Sequence, residues 1–346
     1  MTAQPDARTY KRIATEEAWA PSTMLEQWRR ILQKKSFDDP GFQSLWGFFL
    51  QQNVGYTNDI IARLQDLGER RLGDMDAAGI DQQLLLLTAP GVQVFDRDDA
   101  VAIARASNDE VSEACHRHPE RFAALAAVAP QDPKEAAREI DRAVNKLGLN
   151  GIVINSHTHG EYLDDPKFWD IFEAAEALDA AIYIHPQTPP KDMVNQFLKR
   201  NLDGAIMGFS VEVALHTVAI VLSGAFERFP KLKIVIGHAG EGLPFWLYRL
   251  DCQQDLVLGS MGENKLKRKI SDYIKENVYV TTSGMGWEPA ILFIQQIMGV
   301  DHVLYAMDYP FQYVMEEVAT TDNLPISAED RLKLYQSNAQ RLFHLR

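Results

Sequence analysis

The sequence predicts an α/β protein: a parallel (β/α)8 TIM barrel with cap insertions after strands one and five. Three observations carry this prediction. Eight short β-type runs alternate with helix-patterned spacers along the chain. The runs are continuously apolar rather than alternating, as expected for strands buried on both faces. Four of them end on a metal-competent side chain: Arg12–Glu16, Ala181–His185, Lys233–His238 and Val303–Asp308. A parallel barrel gathers such strand ends on a single rim, where its active sites form.

The eight expected strands are Ile13–Thr15, Gln83–Thr88, Ala123–Ala129, Gly151–Asn155, Ala181–His185, Lys233–Gly237, Val278–Thr281 and Val303–Met307. Between strands two and three, Asp99–His116 reads as a helix. Asp132-Pro133 is an N-cap followed by proline at the first helical position, opening Lys134–Lys146. Asp165-Pro166 opens a similar helix through Leu178, and Ala328–Leu345 reads as a closing helix. Gly148 and Gly151 flank a helix-to-strand turn. Two connections exceed ordinary loop length and read as caps over the rim. One, at about 21–66, carries Trp28, Phe37, Phe42, Trp46, Phe48, Phe49 and Tyr56. The other, at about 186–215, carries Met207-Gly-Phe209. Residues 1–346 are expected to form a single barrel domain with these two caps.

At 346 residues the chain suits a barrel with insertions. Its 46% hydrophobic content supplies a large core without covalent staples. Net charge is −13, which argues against a nucleic-acid or anionic-membrane surface. A metal or a local arginine can still reverse the field inside one pocket, so an anionic small substrate stays open. The two cysteines, Cys115 and Cys252, lack metal-type spacing. They are expected to be reduced, in a cytoplasmic protein. The N-terminal stretch shows no signal-peptide apolar region, and no apolar run reaches membrane-spanning length.

The strand ends define a candidate site. Glu16 and Glu17 are adjacent and must face opposite ways, whereas Glu16 and Ala18 share a face. Ala18 stands where many metal-dependent barrels place a second histidine. His185 suits Zn2+ or Mn2+ as a neutral imidazole, and Asp308 can ligate a metal and move a proton. Each has a bland reading as well: a solvated strand-end Glu16, a hydrogen-bonded core His185, a helix-capping Asp308. In Gly237-His-Ala-Gly-Glu241 the glycines permit a tight turn, and Glu241 can orient His238. Arg249 can bind a carboxylate or simply form a salt bridge on its helix. His157 and His159 have metal-pair spacing, but they lie in a polar loop where His157 is better read as a substrate or supporting contact. His116, His118, His216, His302 and His344 have no motif partners and read as structural or exposed.

The motifs T-E-E-A, Y-I-H-P, G-H-x-G-E-x-x-P and A-M-D-Y-P, in this order, resemble those of the amidohydrolase-related decarboxylases. These comprise the aminocarboxymuconate semialdehyde, γ-resorcylate, 2,3-dihydroxybenzoate and 5-carboxyvanillate types. The likeness runs from Ile13 to Leu345 and is strongest to the 5-carboxyvanillate type. It is carried also by Ser44–Phe48, Leu67–Arg71, Ala89–Gln93, Ala129–Pro133 and Gly242–Asp251. The resemblance implies an amidohydrolase-like barrel and non-oxidative decarboxylation of an ortho-hydroxy aromatic carboxylate. It implies one divalent metal ion per subunit, Mn2+ or Zn2+ with Mg2+ also admitted, held by Glu16, His185 and Asp308. His238 and Glu241 would form the supporting catalytic pair. Arg249 would reach the substrate of a neighbouring subunit in a homodimer or homotetramer. His157, Tyr56, Phe209, Phe311 and Ala18 complete the expected substrate contacts. Two departures stand out: Tyr56 replaces a first-cap arginine of the 5-carboxyvanillate type, and Phe311 replaces its tyrosine after D-Y-P. The runner-up is a metal-dependent hydrolase, such as a lactonase acting on a lignin-derived dicarboxylate. A non-catalytic ligand-binding barrel is the third reading.

Overall fold

The computed structural model describes residues 8–52, 54–262 and 266–346. Its strands are β1 (Ile13–Trp19), β2 (Gln82–Leu87), β3 (Phe122–Ala124, continuing as Ala126–Ala127), β4 (Ile152–Ile154), β5 (Ile182–Ile184), β6 (Ile234–Ile236), β7 (Val278–Thr281) and β8 (Val303–Leu304). Every neighbouring pair is parallel. The two pieces of β3 are bridged at Leu125, whose N–H donates to Leu85 O at 2.8 Å, while Ala126 N donates to Gly151 O at 2.8 Å. The chain beyond β8 returns to β1: Thr15 N donates to Tyr305 O at 3.0 Å and Ala18 N to Tyr309 O at 2.7 Å. These bonds close the barrel.

The local reasons match the sequence patterns. β4, β5 and β6 are Ile-x-Ile runs that pair in one register, Ile152 with Ile182 and Ile182 with Ile234, and all are buried. Branched side chains fill a barrel interior at low entropy cost. Asp132 accepts from Glu135 N at 3.1 Å and caps the helix Pro133–Asn145. Asp165 caps a 3-10 turn at Pro166–Phe168, and the helix proper follows at Trp169–Ala177. The closing helix is interrupted by a π-helical turn at Lys333–Ser337.

Two strand ends differ from expectation by more than two residues. β1 runs on to Trp19, so Glu16 lies inside the strand rather than at its tip. β8 stops at Leu304, because its continuation pairs with β1 and with Glu17 instead of with β7. The segment after β1 folds into the helices Ser22–Lys34, Pro40–Gln51 and Gly55–Gln65. Trp28, Phe42 and Trp46 pack together in it, with Trp28–Trp46 ring centroids 4.4 Å apart. The helix Pro40–Gln51 docks on the segment after β5 so closely that a Cβ at Gly41 would sit 2.4 Å from Thr188 Oγ1.

Candidate active site

Glu16 stands at the centre of the barrel mouth. The β1–β2 register slips by one residue between Ala14 and Glu17, a bulge that re-aims the side chains within it. Glu16 is buried, and its Oε2 accepts from Thr281 Oγ1 at 2.8 Å and from the Tyr183 hydroxyl. Its Oε1 is buried without a hydrogen-bond partner. Two imidazole nitrogens, His185 Nε2 and His238 Nε2, each lie 3.6 Å from that oxygen. Gly237 makes room for the carboxylate: a Cβ there would lie 2.7 Å from both Glu16 oxygens.

His238 is presented by an uncommon backbone. Residues 238 to 242 all have positive φ, including the non-glycines His238 (49°), Ala239 (57°) and Glu241 (54°). Each such residue costs about 1–2 kcal/mol. Gly240 N donates to Gly237 O at 2.8 Å and Glu241 N to His238 O at 3.2 Å, so the segment forms a tight left-handed turn. That turn brings His238 Nδ1 to 2.7 Å from Glu241 Oε1. Asp308 also has positive φ, 67°, and its Oδ2 is 3.9 Å from His238 Nε2.

The electrostatics follow from burial and crowding. Burial pulls the His238 imidazole down, yet Glu241, Glu16 and Asp308 together hold it well above its usual value. His185 is pushed down to about 4 by burial. Its Nδ1–H can donate to Pro186 O at 2.8 Å, which leaves the Nε2 lone pair facing Glu16. Asp308 is pushed up to about 8, by burial first and by Glu16 after it, against the pull of His238. Glu16, His238 and Asp308 each offer one ligand atom, all within 4.8 Å of one another. An unpartnered buried carboxylate oxygen, facing two imidazoles and a second carboxylate, suits a divalent cation.

A two-lobed cleft opens over this group. One lobe, about 200 Å3, is lined by Trp46, Phe49 and Tyr56 from the first cap, by Phe311, which packs edge-on against Phe49, and by Phe209. The other, about 310 Å3, extends past Glu241, Trp246 and Met285. His238, Asp308 and Gln312 line both.

The structure thus brings Glu16, His185, His238, Glu241 and Asp308 together, with Tyr56, Phe209 and Phe311 on the cleft wall. The close three-residue group contains His238; His185 lies beside it, 3.6 Å from Glu16 Oε1 and with its ring edge-on to His238 at 6.4 Å. Three expected substrate contacts lie elsewhere. Ala18 lines neither lobe, because its backbone bonds to Tyr309 and Arg71 hold it in the strand. His157 is buried beside the barrel. Its Nε2 faces Thr188 O at 3.0 Å and its Nδ1 accepts from Gly160 N at 3.2 Å, leaving neither nitrogen for a ligand. Arg249 is exposed on the helix Leu243–Gln253, outside both lobes of its own subunit.

Several residues were not legible as part of the site. Tyr183 and Thr281 orient Glu16, yet one sits mid-strand and the other at a strand end, and neither was singled out as a polar contact of Glu16. Arg71 is fully buried, donating to Ala18 O at 2.7 Å and to Gln83 Oε1 at 3.2 Å, and its guanidinium lies 4.5 Å from the Tyr309 ring centroid. Glu17 accepts from Met307 N at 2.9 Å, which ties β1 to the Asp308 segment. His216, read as structural or exposed, is fully buried and faces Ser156 Oγ at 2.9 Å, which in turn donates to Glu212.

The amidohydrolase family model matches residues 62–345. This chain belongs to the amidohydrolase family. Among curated amidohydrolase relatives, it is 35% identical over 309 residues to a gamma-resorcylate decarboxylase of a Polaromonas species, spanning 86% of this chain and 94% of that protein. Among solved structures, it is similar to the 5-carboxyvanillate decarboxylase of Novosphingobium aromaticivorans complexed with manganese and 4-hydroxy-3-methoxy-5-nitrobenzoic acid. That match has 47% identity, a TM-score of 0.95 and 97% coverage of both chains. A 2,6-dihydroxybenzoate decarboxylase from Rhizobium matches with 31% identity and a TM-score of 0.84, covering 97% of this chain and 99% of that one.

Proposed function

We propose that this amidohydrolase is a metal-dependent carboxy-lyase that removes CO2 from an ortho-hydroxy aromatic carboxylate. The observation that carries the reading is the unpartnered Glu16 Oε1, set among His185, His238 and Asp308 at the foot of an aromatic cleft. Glu16, His185 and Asp308 would hold one divalent ion, with Mn2+ or Zn2+ suited to this mixed oxygen and nitrogen set. Such an ion would supply a Lewis acid that lowers the pKa of the substrate phenol.

The chain's own residues then manage one proton. Direct loss of CO2 would leave an in-plane aryl carbanion without resonance support. Asp308 instead delivers a proton to the ring carbon that bears the carboxylate, and the ortho phenolate becomes a ketone. The C–C bond then breaks, CO2 leaves, and the electron pair returns to the ring to restore the phenolate. His238, held protonated by Glu241, resupplies Asp308 across their 3.9 Å gap. Aromatic walls orient the ring and exclude water. The hydrolase alternative, a lactonase, is disfavoured because the named relatives and structural neighbours are decarboxylases. Asp308→Asn in Mn2+-loaded protein is expected to lower turnover on ortho-hydroxybenzoates by roughly 10^2–10^4. Unchanged turnover sinks the proton assignment, and water consumption without CO2 release sinks the reaction.

The proposal extends to assembly and compartment. Phe245 (76% exposed) and Tyr248 (84%) flank Arg249 on the helix Leu243–Gln253, an apolar surface suited to a second copy in a homodimer or homotetramer. Arg249 would then reach the neighbouring cleft. Sedimentation of the full chain and of Arg249→Ala, with turnover measured on both, tests this. The unpaired Cys115 and Cys252 fit a cytoplasmic protein, and no described helix is long and apolar enough to cross a membrane. We take the described residues as one barrel domain with two caps.

A further inference from the structure

The two oxygens of the Glu16 carboxylate have opposite surroundings. Oε2 accepts from Thr281 Oγ1 at 2.8 Å and from the Tyr183 hydroxyl. An ionised carboxylate oxygen offers about two lone-pair sites, so these donors fill it. Oε1 is buried and has no hydrogen-bond partner. The ring nitrogens that approach the carboxylate, His185 Nε2 and His238 Nε2, both lie 3.6 Å from Oε1. One oxygen is thus occupied by the barrel, and the other is open toward the imidazoles.

The donors are fixed by the fold. Tyr183 lies in the middle of β5 and Thr281 at the end of β7, both fully buried. Thr281 Oγ1 accepts from Ser283 N at 3.3 Å, which leaves its single proton for Glu16. The Tyr183 hydroxyl also lies 3.3 Å from Thr281 Oγ1, but a carboxylate outcompetes a neutral hydroxyl for its proton. Glu16 itself makes no such choice. The terminal torsion of a glutamate is broad and roughly two-fold, so a carboxylate without these donors would present either oxygen or both.

We propose that Tyr183 and Thr281 are positioning residues: they confine Glu16 to ligation through Oε1 alone, and so keep open a coordination position that a two-oxygen Glu16 would close. The proposal rests on the metal-dependent reading above. With one atom each from Glu16, His185 and Asp308, an octahedral ion such as Mn2+ keeps about three positions for exchangeable oxygen ligands. Without the two hydroxyls, Oε2 is a buried acceptor with no donor, and the ion is the charge that satisfies it. Glu16 then binds through both oxygens, and an exchangeable position is lost.

The test uses full-length protein loaded with Mn2+ in the absence of substrate. Electron paramagnetic resonance of free Mn2+ gives its affinity, and the relaxation of water protons gives the number of exchangeable waters on the bound ion. Tyr183→Phe and Thr281→Val are combined, with circular dichroism checking the fold. The double variant is expected to keep Mn2+ and to carry about one exchangeable water fewer than wild type. Thr281→Ser, which retains the hydroxyl, is expected to keep the wild-type number, and a fall there as well overturns the proposal. So does an unchanged number in the folded, Mn2+-loaded double variant. Loss of Mn2+ binding by that folded variant also overturns it, since the hydroxyls would then hold Glu16 in place rather than choose its oxygen. If the double variant does not fold, Thr281→Val alone decides in the same way: fewer waters sustain the proposal and an equal number overturns it. Wild type that binds no Mn2+ overturns the metal-dependent reading and this proposal together. CO2 release from an ortho-hydroxybenzoate by wild type, with the water number unchanged in the variant, overturns this proposal and leaves the decarboxylase reading standing.

Discussion

His238 and Glu241 meet at 2.7 Å because the backbone from 238 to 242 turns left-handed, which sets two side chains three residues apart on the same side. Glu241 is buried, and its second oxygen has no partner, so its one hydrogen bond is spent on orienting the imidazole. Replacing Glu241 by Gln keeps the shape and removes the charge that opposes desolvation of His238. Turnover is expected to fall about 10–100-fold with little change in thermal stability, measured by CO2 release beside a circular-dichroism melt.

Gly237→Ala tests the placement of Glu16. The added methyl would lie 2.7 Å from both carboxylate oxygens. Gly237 has a negative φ of −77°, so alanine meets no backbone strain there. The expected outcome is a folded protein with Mn2+ affinity and turnover each reduced about a hundredfold, read by metal titration and assay. Retention of both would show that Glu16 is not held where the structure puts it.

Metal removal should reproduce the loss caused by Glu16→Ala. A chelator-treated wild type is expected to lose activity and regain it with Mn2+. Glu16→Ala should regain little at the same Mn2+ concentration, since one of its few anionic ligands is gone. Elemental analysis of both proteins checks the stoichiometry.

Arg71→Met is expected to be chiefly a stability variant. It strips the donors from Ala18 O and Gln83 Oε1 and leaves Glu17 without its nearest cation. Breaking such a buried network costs about 3–5 kcal/mol. Urea unfolding should show this loss, with residual activity per folded molecule largely kept.

His157 gives a pH signature. Burial pushes it down to about 4, so the folded chain holds it neutral while the unfolded chain protonates it near its ordinary value. Its contribution is present above about pH 6.5 and is lost as pH falls toward 4, on the order of 3 kcal/mol when complete. The melting temperature should therefore drop across that window, and His157→Gln should flatten part of the drop.

Much of this molecule was legible in its residues. Strand identity survived because Ile-x-Ile runs such as Ile182–Ile184 are local signals, and caps such as Asp132 act over three residues. Glu16, His185, His238 and Asp308 could be nominated because each follows such a run. Boundaries were less legible: β1 outran its expected end, since the pairing that extends it comes from β2, far along the chain. His157 looked available for a ligand until Thr188 and Gly160 were seen to occupy its ring nitrogens.

The sequence by itself determined the alternation of strands and helices, and hence which side chains could share a rim. Only the tertiary structure decided how those side chains meet. Tyr183 and Thr281 reach Glu16 across 167 and 265 residues, and His238 rather than His185 stands nearest Asp308. The physical reason is range: propensity, capping and periodicity act within a turn or two of chain, whereas ligand geometry and pocket charge are set by barrel closure, which joins Thr15 to Tyr305.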